Sequence, residues 1–329
     1  MTVEPQARVD LQQLADLCTP WCIRVVATLR IAQRIQAGVG DVADLAAAAG
    51  CDADALYSVL GYLVGKGVFE ESAPGRFTLN DAARGLLDEG SFLSLDGIGG
   101  RMAHAWGTLP TFVRTGAPGY HEVFGLPFWE DLAAHPDVAA SFDALMGPAG
   151  HGVPDADIPI TGGWGPVRTV VDVGGGTGAM LAEILRAGPH LRGTLVDLPG
   201  SVARSAEVFR SAGVADRVTT VGQSFFDPLP AGADLYLLKK VLNDWPDRET
   251  TAILRRCAEA ARPDGRVVVL GGVSARDGAR PLTIEMVLVG GRSNTLAEFQ
   301  QLAGEAGLAV TATVSQAPAG LLVECRPTA

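Results

Sequence analysis

The sequence predicts an α/β protein: a helical N-terminal part, then a doubly wound, mostly parallel sheet whose last strand runs antiparallel. Three observations carry this. A β-branched run, Val170-Val171-Asp172-Val173, enters the loop Gly174-Gly175-Gly176-Thr177-Gly178 and leaves as a helix former, Ala179 to Arg186. That is a strand, a tight turn and a helix N-terminus, the geometry that brings backbone amides close to a nucleotide-like ligand. From Arg168 onward, strand-like runs at 168–173, 193–197, 217–221, 234–238 and 266–271 alternate with helical patterns, as in repeated βαβ units. The last two strand candidates, 308–314 and 320–325, are joined by Gln316-Ala317-Pro318-Ala319-Gly320. A link this short makes a hairpin but no crossover helix, so the final strand is expected to be antiparallel.

The N-terminal part reads as helices. Leu11, Leu14, Leu17, Ile23, Val26, Leu29 and Ile31 supply apolar faces, and Pro20 marks a break or the start of a second helix. Asp41 and Asp52 each precede an apolar helix as N-caps, the second helix running to about Lys66. Residues 67–70 and 76–79 form a short hairpin around Pro74-Gly75. Helix, turn, helix, hairpin is a winged-helix pattern. A DNA reader of that kind needs basic and amide side chains on its second helix. Here Asp52 and Asp54 open it and no Lys or Arg comes before Lys66.

Charge and cysteine usage exclude further classes. With 26 Lys and Arg against 37 Asp and Glu, the net charge is −11, which disfavours nucleic acid and anionic membranes as partners. Met1 to Asp10 lacks a signal peptide's basic start and apolar core, and no apolar run reaches the roughly 20 residues that span a bilayer. The cysteines are Cys18, Cys22, Cys51, Cys257 and Cys325, and Cys18-x-x-x-Cys22 has no matching second pair. We read it as one helix face, expect no metal, and expect a reducing, cytoplasmic setting.

Residues 91–150 are rich in large side chains: Met102, Trp106, Phe112, Tyr120, Phe124, Phe128, Trp129, Phe142 and Met146. Most are expected in an ordinary core. Gly147 to Pro166 then reads as a connection. The expected division is 1–92 helical and winged-helix-like, 93–165 a helical connection, and 166–329 the sheet domain.

The chemistry centres on two acids. Asp172 precedes the glycine loop, and Asp197 ends the next strand, placed to accept hydrogen bonds from both hydroxyls of a ribose. Two adenosine cofactors compete. Gly174-x-Gly176-x-x-Ala179 satisfies a dinucleotide fingerprint, a weak signal alone. The fuller pattern Asp172-x-Gly174-x-Gly176-x-Gly178, the loop's position in mid-chain, and the block Leu237-Leu238-Lys239-Lys240-Val241-Leu242-Asn243-Asp244-Trp245-Pro246-Asp247 favour S-adenosyl-L-methionine.

That block resembles the post-strand motif of plant-type and actinobacterial small-molecule O-methyltransferases. The resemblance covers nearly the whole chain, with further matches at 193–199, 225–230, 262–269 and 290–299. It implies a Rossmann-like class I methyltransferase sheet and an N-terminal domain that forms an intertwined homodimer interface. It places Gly174 and Gly176 at the methionine end of the cofactor, Asp197 on the ribose and Leu198 against adenine. Ser224, Phe225, Lys239 and Trp245 match further cofactor-contacting positions, and Met146 fits the Phe142-x-x-x-Met146 element beside the reacting centre. Trp106, Phe142, Met146 and Met286 are the candidates for an acceptor pocket, implying a flat aromatic substrate such as an aromatic polyketide, anthraquinone, anthracycline or naphthoate.

The catalytic block departs from the family. Plant members carry a His base where this chain has Asn243, and an amide does not accept a proton near neutral pH. Gly271 and Ser293 stand where the resemblance expects the two carboxylates that orient that His. His104, His121, His135, His151 and His190 lie elsewhere, with His121 and His151 candidates to reach the pocket from loops and His190 expected to be exposed. Two mechanisms fit. One methylates an acidic phenol by orientation, with Asn243 aligning the hydroxyl and Asp244 relaying or accepting the proton. The other keeps the cofactor but has exchanged methyl transfer for hydroxylation or decarboxylation of a polycyclic aromatic. A third reading, from another class, is a ligand-sensing regulator with a winged helix, which the acidic second helix opposes.

Overall fold

The structure is a computed structural model that describes residues 10–147, 154–274, 282–316 and 320–328. The chain divides into two compact units, Met1–Ala103 and His104–Ala329.

The first unit holds α1 (Leu11–Leu14), α2 (Cys18–Thr28), α3 (Ile31–Gln36), α4 (Val42–Ala49), α5 (Ala53–Gly65), the hairpin β1 (Phe69–Ala73) and β2 (Arg76–Leu79), α6 (Asp81–Leu93) and most of α7 (Ile98–Ala105). Both expected caps are formed: Asp41 accepts from the Ala43 amide at 3.0 Å and Asp52 from that of Ala55 at 2.9 Å. The break near Pro20 falls before Cys18, whose amide donates to Asp16 at 2.8 Å. Pro20 sits in the first turn of α2, where its missing N–H costs no helix bond. Val26, Ile31, Leu45, Leu60, Leu63, Phe69 and Phe77 make the core. Leu11, Leu14 and Leu17 remain 75%, 74% and 73% exposed.

The second unit begins with α8 (Leu109–Thr115), α9 (Tyr120–Phe124), α10 (Phe128–Ala134) and α11 (Pro136–Met146). Next come β3 (Thr169–Val173), α12 (Ala179–Ala187), β4 (Arg192–Asp197), α13 (Pro199–Ser211), β5 (Val218–Gly222) and β6 (Leu235–Lys239). The chain ends with α14 (Asp247–Ala260), β7 (Arg266–Leu270), β8 (Val273–Ser274), α15 (Ile284–Leu288), β9 (Asn294–Thr295), α16 (Leu296–Glu305), β10 (Leu308–Gln316) and β11 (Gly320–Pro327). The seven long strands lie in the order β10-β11-β7-β6-β3-β4-β5. Every pair is parallel except those made by β11, which runs against both β7 and β10. The reversed strand is the one the short link predicts, and all seven strand spans fall within two residues of expectation. The short parallel pair β8–β9 was not foreseen.

Both faces of the sheet are covered, so its central strands are largely apolar, with charged residues only at or next to their ends. Tyr236 and Leu238 of β6 pack into one core with Ile253, Leu254 and Phe299. Leu235 and Leu237 face the other, with Leu181, Ile184 and Phe209. The chain steps outward from β3 to β4 on one side and to β6 on the other. Ligands of open α/β sheets bind beyond the strand ends at such a switch point. Asp172, Asp197 and Lys239 all lie there.

Candidate active site

Gly174, Gly176 and Gly178 have φ of 70°, 60° and 82°, the left-handed region that side chains disfavour. Their surroundings differ. A Cβ on Gly174 would lie 2.8 Å from Val241, one on Gly175 would lie 2.4 Å from the Asp172 carboxylate, and one on Gly178 would lie 2.3 Å from Phe209. A Cβ on Gly176 would meet nothing within 4 Å among the described residues. Three of the glycines are therefore demanded by packing, and Gly176 marks the open side of the loop.

Asp197 closes this loop. One carboxylate oxygen accepts the Gly176 amide at 2.8 Å and the other that of Leu198 at 2.7 Å. Burial raises its proton affinity, and the Gly176 amide opposes that rise. Its carboxylate also takes a hydrogen bond from Ser201 and keeps lone pairs for further hydroxyl donors, and Leu198 beside it is 42% exposed. Asp172 is buried, and its Oδ2 has no partner among the described residues. Burial pushes its pKa to about 7, with Lys239 on the adjacent strand pulling down and Asp197 pushing up. Burial in turn lowers the Lys239 ammonium below its usual range, helped by Lys240 and opposed by Asp172. A buried carboxylate oxygen awaiting a donor, beside an open loop and a second acid, fits an amino acid joined to a nucleoside.

An aromatic wall leads away from the loop. The Phe225 ring lies 3.3 Å from the Cβ position of Gly174 and meets Trp245 edge-on at 5.8 Å. Ser224 shapes this turn by accepting the Phe226 amide at 3.2 Å. Trp245 stacks on Trp129 at 6.0 Å and 18°, and Trp129 meets Phe142 of α11 edge-on at 5.8 Å. Arg204 of α13 donates to Asp143 at 2.6 Å, which ties α11 to the helix following Asp197. Met146 ends α11 and is 46% exposed.

The catalytic block folds as a 3-10 turn, Leu242–Asp244, just beyond β6. Lys240 enters it at φ 54°. Asn243 Nδ2 donates to Asp244 at 2.8 Å, while Asn243 Oδ1 is buried without a partner among the described residues. Glycines floor the turn: a Cβ on Gly291 would lie 2.1 Å from the Asn243 carbonyl oxygen, and one on Gly272 would lie 3.1 Å from the Asn243 nitrogen. Helix α15 packs against this turn and against the 3-10 turn Trp106–Thr108, so it brings Met286 and Trp106, 39% exposed, to the same region. Asp244 has its pKa pushed up to about 8, by burial first and by Glu285 second, with Lys240 opposing.

Sequence reasoning missed Glu285 and the part played by Trp129. Gly271 occupies its place against Lys240, yet a carboxylate reaches the block from α15, one residue before the Met286 that was selected. Trp129 was noted only among large side chains. The expectation that His121 reaches the pocket from a loop is corrected: it sits exposed on α9. His190 is exposed as expected, and His151 lies outside the described residues.

Comparisons with known proteins agree with this geometry. A family model described as an O-methyltransferase domain matches residues 106–309. The chain is 40% identical to a 2,7-dihydroxy-5-methyl-1-naphthoate 7-O-methyltransferase of Streptomyces carzinostaticus, over 93% of this chain and 94% of that protein. It is also 40% identical to aclacinomycin 10-hydroxylase of Streptomyces purpurascens, over 92% and 84%. The crystal structure of an O-methyltransferase from neocarzinostatin biosynthesis, in complex with S-adenosylmethionine and 2-hydroxy-5-methyl naphthoic acid, superposes with a TM-score of 0.88. That protein is 39% identical, and the match covers 98% of this chain and 100% of the other. The glycine loop, the two strand-end acids and the family match together place the chain among the S-adenosylmethionine-dependent O-methyltransferases.

Proposed function

We propose that this enzyme methylates a phenolic hydroxyl on a flat polycyclic aromatic of naphthoate or anthraquinone type. The observation that carries this reading is the aromatic wall from Phe225 through Trp245 and Trp129 to Phe142, whose Trp245 directly follows the Asn243–Asp244 turn. Asp172, Gly174, Gly176, Asp197, Leu198, Ser224, Phe225, Lys239 and Trp245 would hold the cofactor, which supplies an electrophilic methyl group when bound. Trp106, Phe142, Met146 and Met286 would wall the acceptor pocket.

The chain's own residues then orient the oxygen and move its proton. Asn243 Oδ1, without a partner among the described residues, accepts the phenol O–H in the resting complex and aligns the oxygen, and that same proton is transferred to Asp244 as the methyl group is attacked. Asp244, with proton affinity near 8, is the acceptor for a proton whose ordinary pKa is about 10. Orientation itself is worth roughly 7–11 kcal/mol of barrier. Incubation with methyl-labelled cofactor and a panel of hydroxynaphthoates and hydroxyanthraquinones is expected to label an aromatic oxygen. The equal likeness to a hydroxylase carries one second reading, in which the product gains oxygen and no label. Product mass separates the two.

The exposed Leu11, Leu14 and Leu17 support a homodimer through the N-terminal unit. All five cysteines are free, which supports a cytoplasmic setting. Among the described residues no helix is long and apolar enough to cross a membrane.

A further inference from the structure

The wall contains one polar atom that the proposed chemistry leaves unused. Trp129 Nε1 is shut off from solvent and has no acceptor among the described residues. Leaving a buried donor unpaired costs about 1–3 kcal/mol, and native proteins seldom retain one without a use. The indole is held on three sides: stacked on Trp245 at 6.0 Å, and edge-on to Phe128 at 5.0 Å and Phe142 at 5.8 Å. A plain hydrophobic wall would be served by Phe, which brings no unpaired donor. Two residues before Trp245, the turn holds a second unpaired atom, the acceptor Asn243 Oδ1. An unpaired donor on the ring stacked against Trp245 and an unpaired acceptor two residues before Trp245 suit a ring bearing both a hydroxyl and a carbonyl-type oxygen.

We infer that Trp129 is a specificity-determining residue whose indole N–H donates to a carbonyl or carboxylate oxygen on the aromatic substrate. This rests on the methyl-transfer reading above and adds that the site reads the carbonyl or carboxylate oxygen of such a substrate. A ring without that oxygen leaves the buried N–H unpaired and is rejected on that ground.

The test uses the full-length enzyme, a hydroxynaphthoate, and the naphthol that differs only in lacking its carboxylate. Wild type is expected to favour the hydroxynaphthoate by about ten- to a hundredfold in kcat/KM, the range of a hydrogen bond to a charged acceptor. Trp129→Phe keeps an aromatic ring and removes the donor. It is expected to bring the two substrates within a few-fold of each other while S-adenosylhomocysteine binds as in wild type by calorimetry. Equal rate losses on both substrates would make Trp129 a packing residue and overturn the inference. Weakened S-adenosylhomocysteine binding alone would assign the N–H to the cofactor and also overturn it. If Trp129→Phe does not fold, the wild-type pair still decides, because absence of a preference refutes the inference. Failure to methylate either ring, or any hydroxylated aromatic offered, defeats the methyl-transfer reading instead.

Discussion

Asn243 keeps an acceptor oxygen without a partner among the described residues while its nitrogen holds Asp244, the arrangement from which the proposed proton route follows. Asp244 is protonated in most molecules at neutral pH, since burial and Glu285 raise its pKa to about 8. The wild-type kcat/KM is therefore expected to rise with pH through about 8, as the carboxylate forms. Asp244→Asn should abolish that limb and cost roughly 10²–10⁴-fold, the usual contribution of a general base. Asn243→Ala removes both the orienting acceptor and the Nδ2 donor that holds Asp244, and should cost about ten- to a hundredfold, less than Asp244→Asn. A limb that tracks the acidity of each phenol, and survives in Asp244→Asn, would show that the substrate ionises by itself. Asp172 makes a separate prediction about stability. Its folded pKa of about 7 exceeds the ordinary 3.8, so the folded protein binds the extra proton across that window. The ligand-free enzyme is expected to lose stability as pH rises from about 4 to 7, by up to roughly 4 kcal/mol from this group. Urea unfolding at both ends of the window should show the loss in wild type and a much smaller one in Asp172→Asn. Equal slopes in the two proteins would refute it.

At the scale of elements, the glycine loop does two jobs that substitution can separate. Gly178→Ala drives a methyl into Phe209 and forces a residue with φ 82°, so it should lower the unfolding temperature by several degrees. The added methyl of Gly176→Ala meets nothing within 4 Å among the described residues, and the variant bears only the left-handed backbone penalty, about 1–2 kcal/mol. It should fold and yet bind S-adenosylhomocysteine poorly, because its methyl enters the space the loop leaves open. Thermal melts and calorimetry on the pair test this, and normal binding by Gly176→Ala would place the ligand elsewhere. The loop and sheet were legible because β-branched runs, glycines and strand-end acids are local signals. The short link before Gly320 fixed the direction of the last strand for the same reason. The aromatic wall was not legible. Trp129 of α10 and Trp245 lie far apart in sequence and are brought to stacking distance only by the tertiary fold. Glu285 reaches Asp244 from α15, a five-residue helix with too few turns to declare a face. Sequence reading places Gly174 and Gly176 beside the cofactor; packing gives Gly174, Gly175 and Gly178 a separate reason to be glycine that only the fold reveals.

For the whole molecule the open question is what covers the leucines of the N-terminal unit. Leu11, Leu14 and Leu17 each leave nearly three-quarters of their surface in water, next to a core that already buries Ile31, Leu45 and Leu60. Exposed leucines clustered over so few residues mark an association surface more often than a solvated one. Nucleic acid does not suit it, since α5 opens with Asp52 and Asp54 and the chain carries a net charge of −11. A second copy of the chain does, because an apolar patch complements itself across a two-fold axis. Light scattering at micromolar concentration is expected to give twice the chain mass of 34.1 kDa. Like-charged protomers repel, so added salt should tighten this dimer by screening, the opposite of an interface built on ion pairs. Leu14→Glu places a charge in the patch without touching the glycine loop, and should shift the mass toward 34.1 kDa while S-adenosylhomocysteine still binds. A wild-type monomer, or a dimer indifferent to Leu14→Glu together with the equivalent changes at Leu11 and Leu17, would assign those leucines to some other contact.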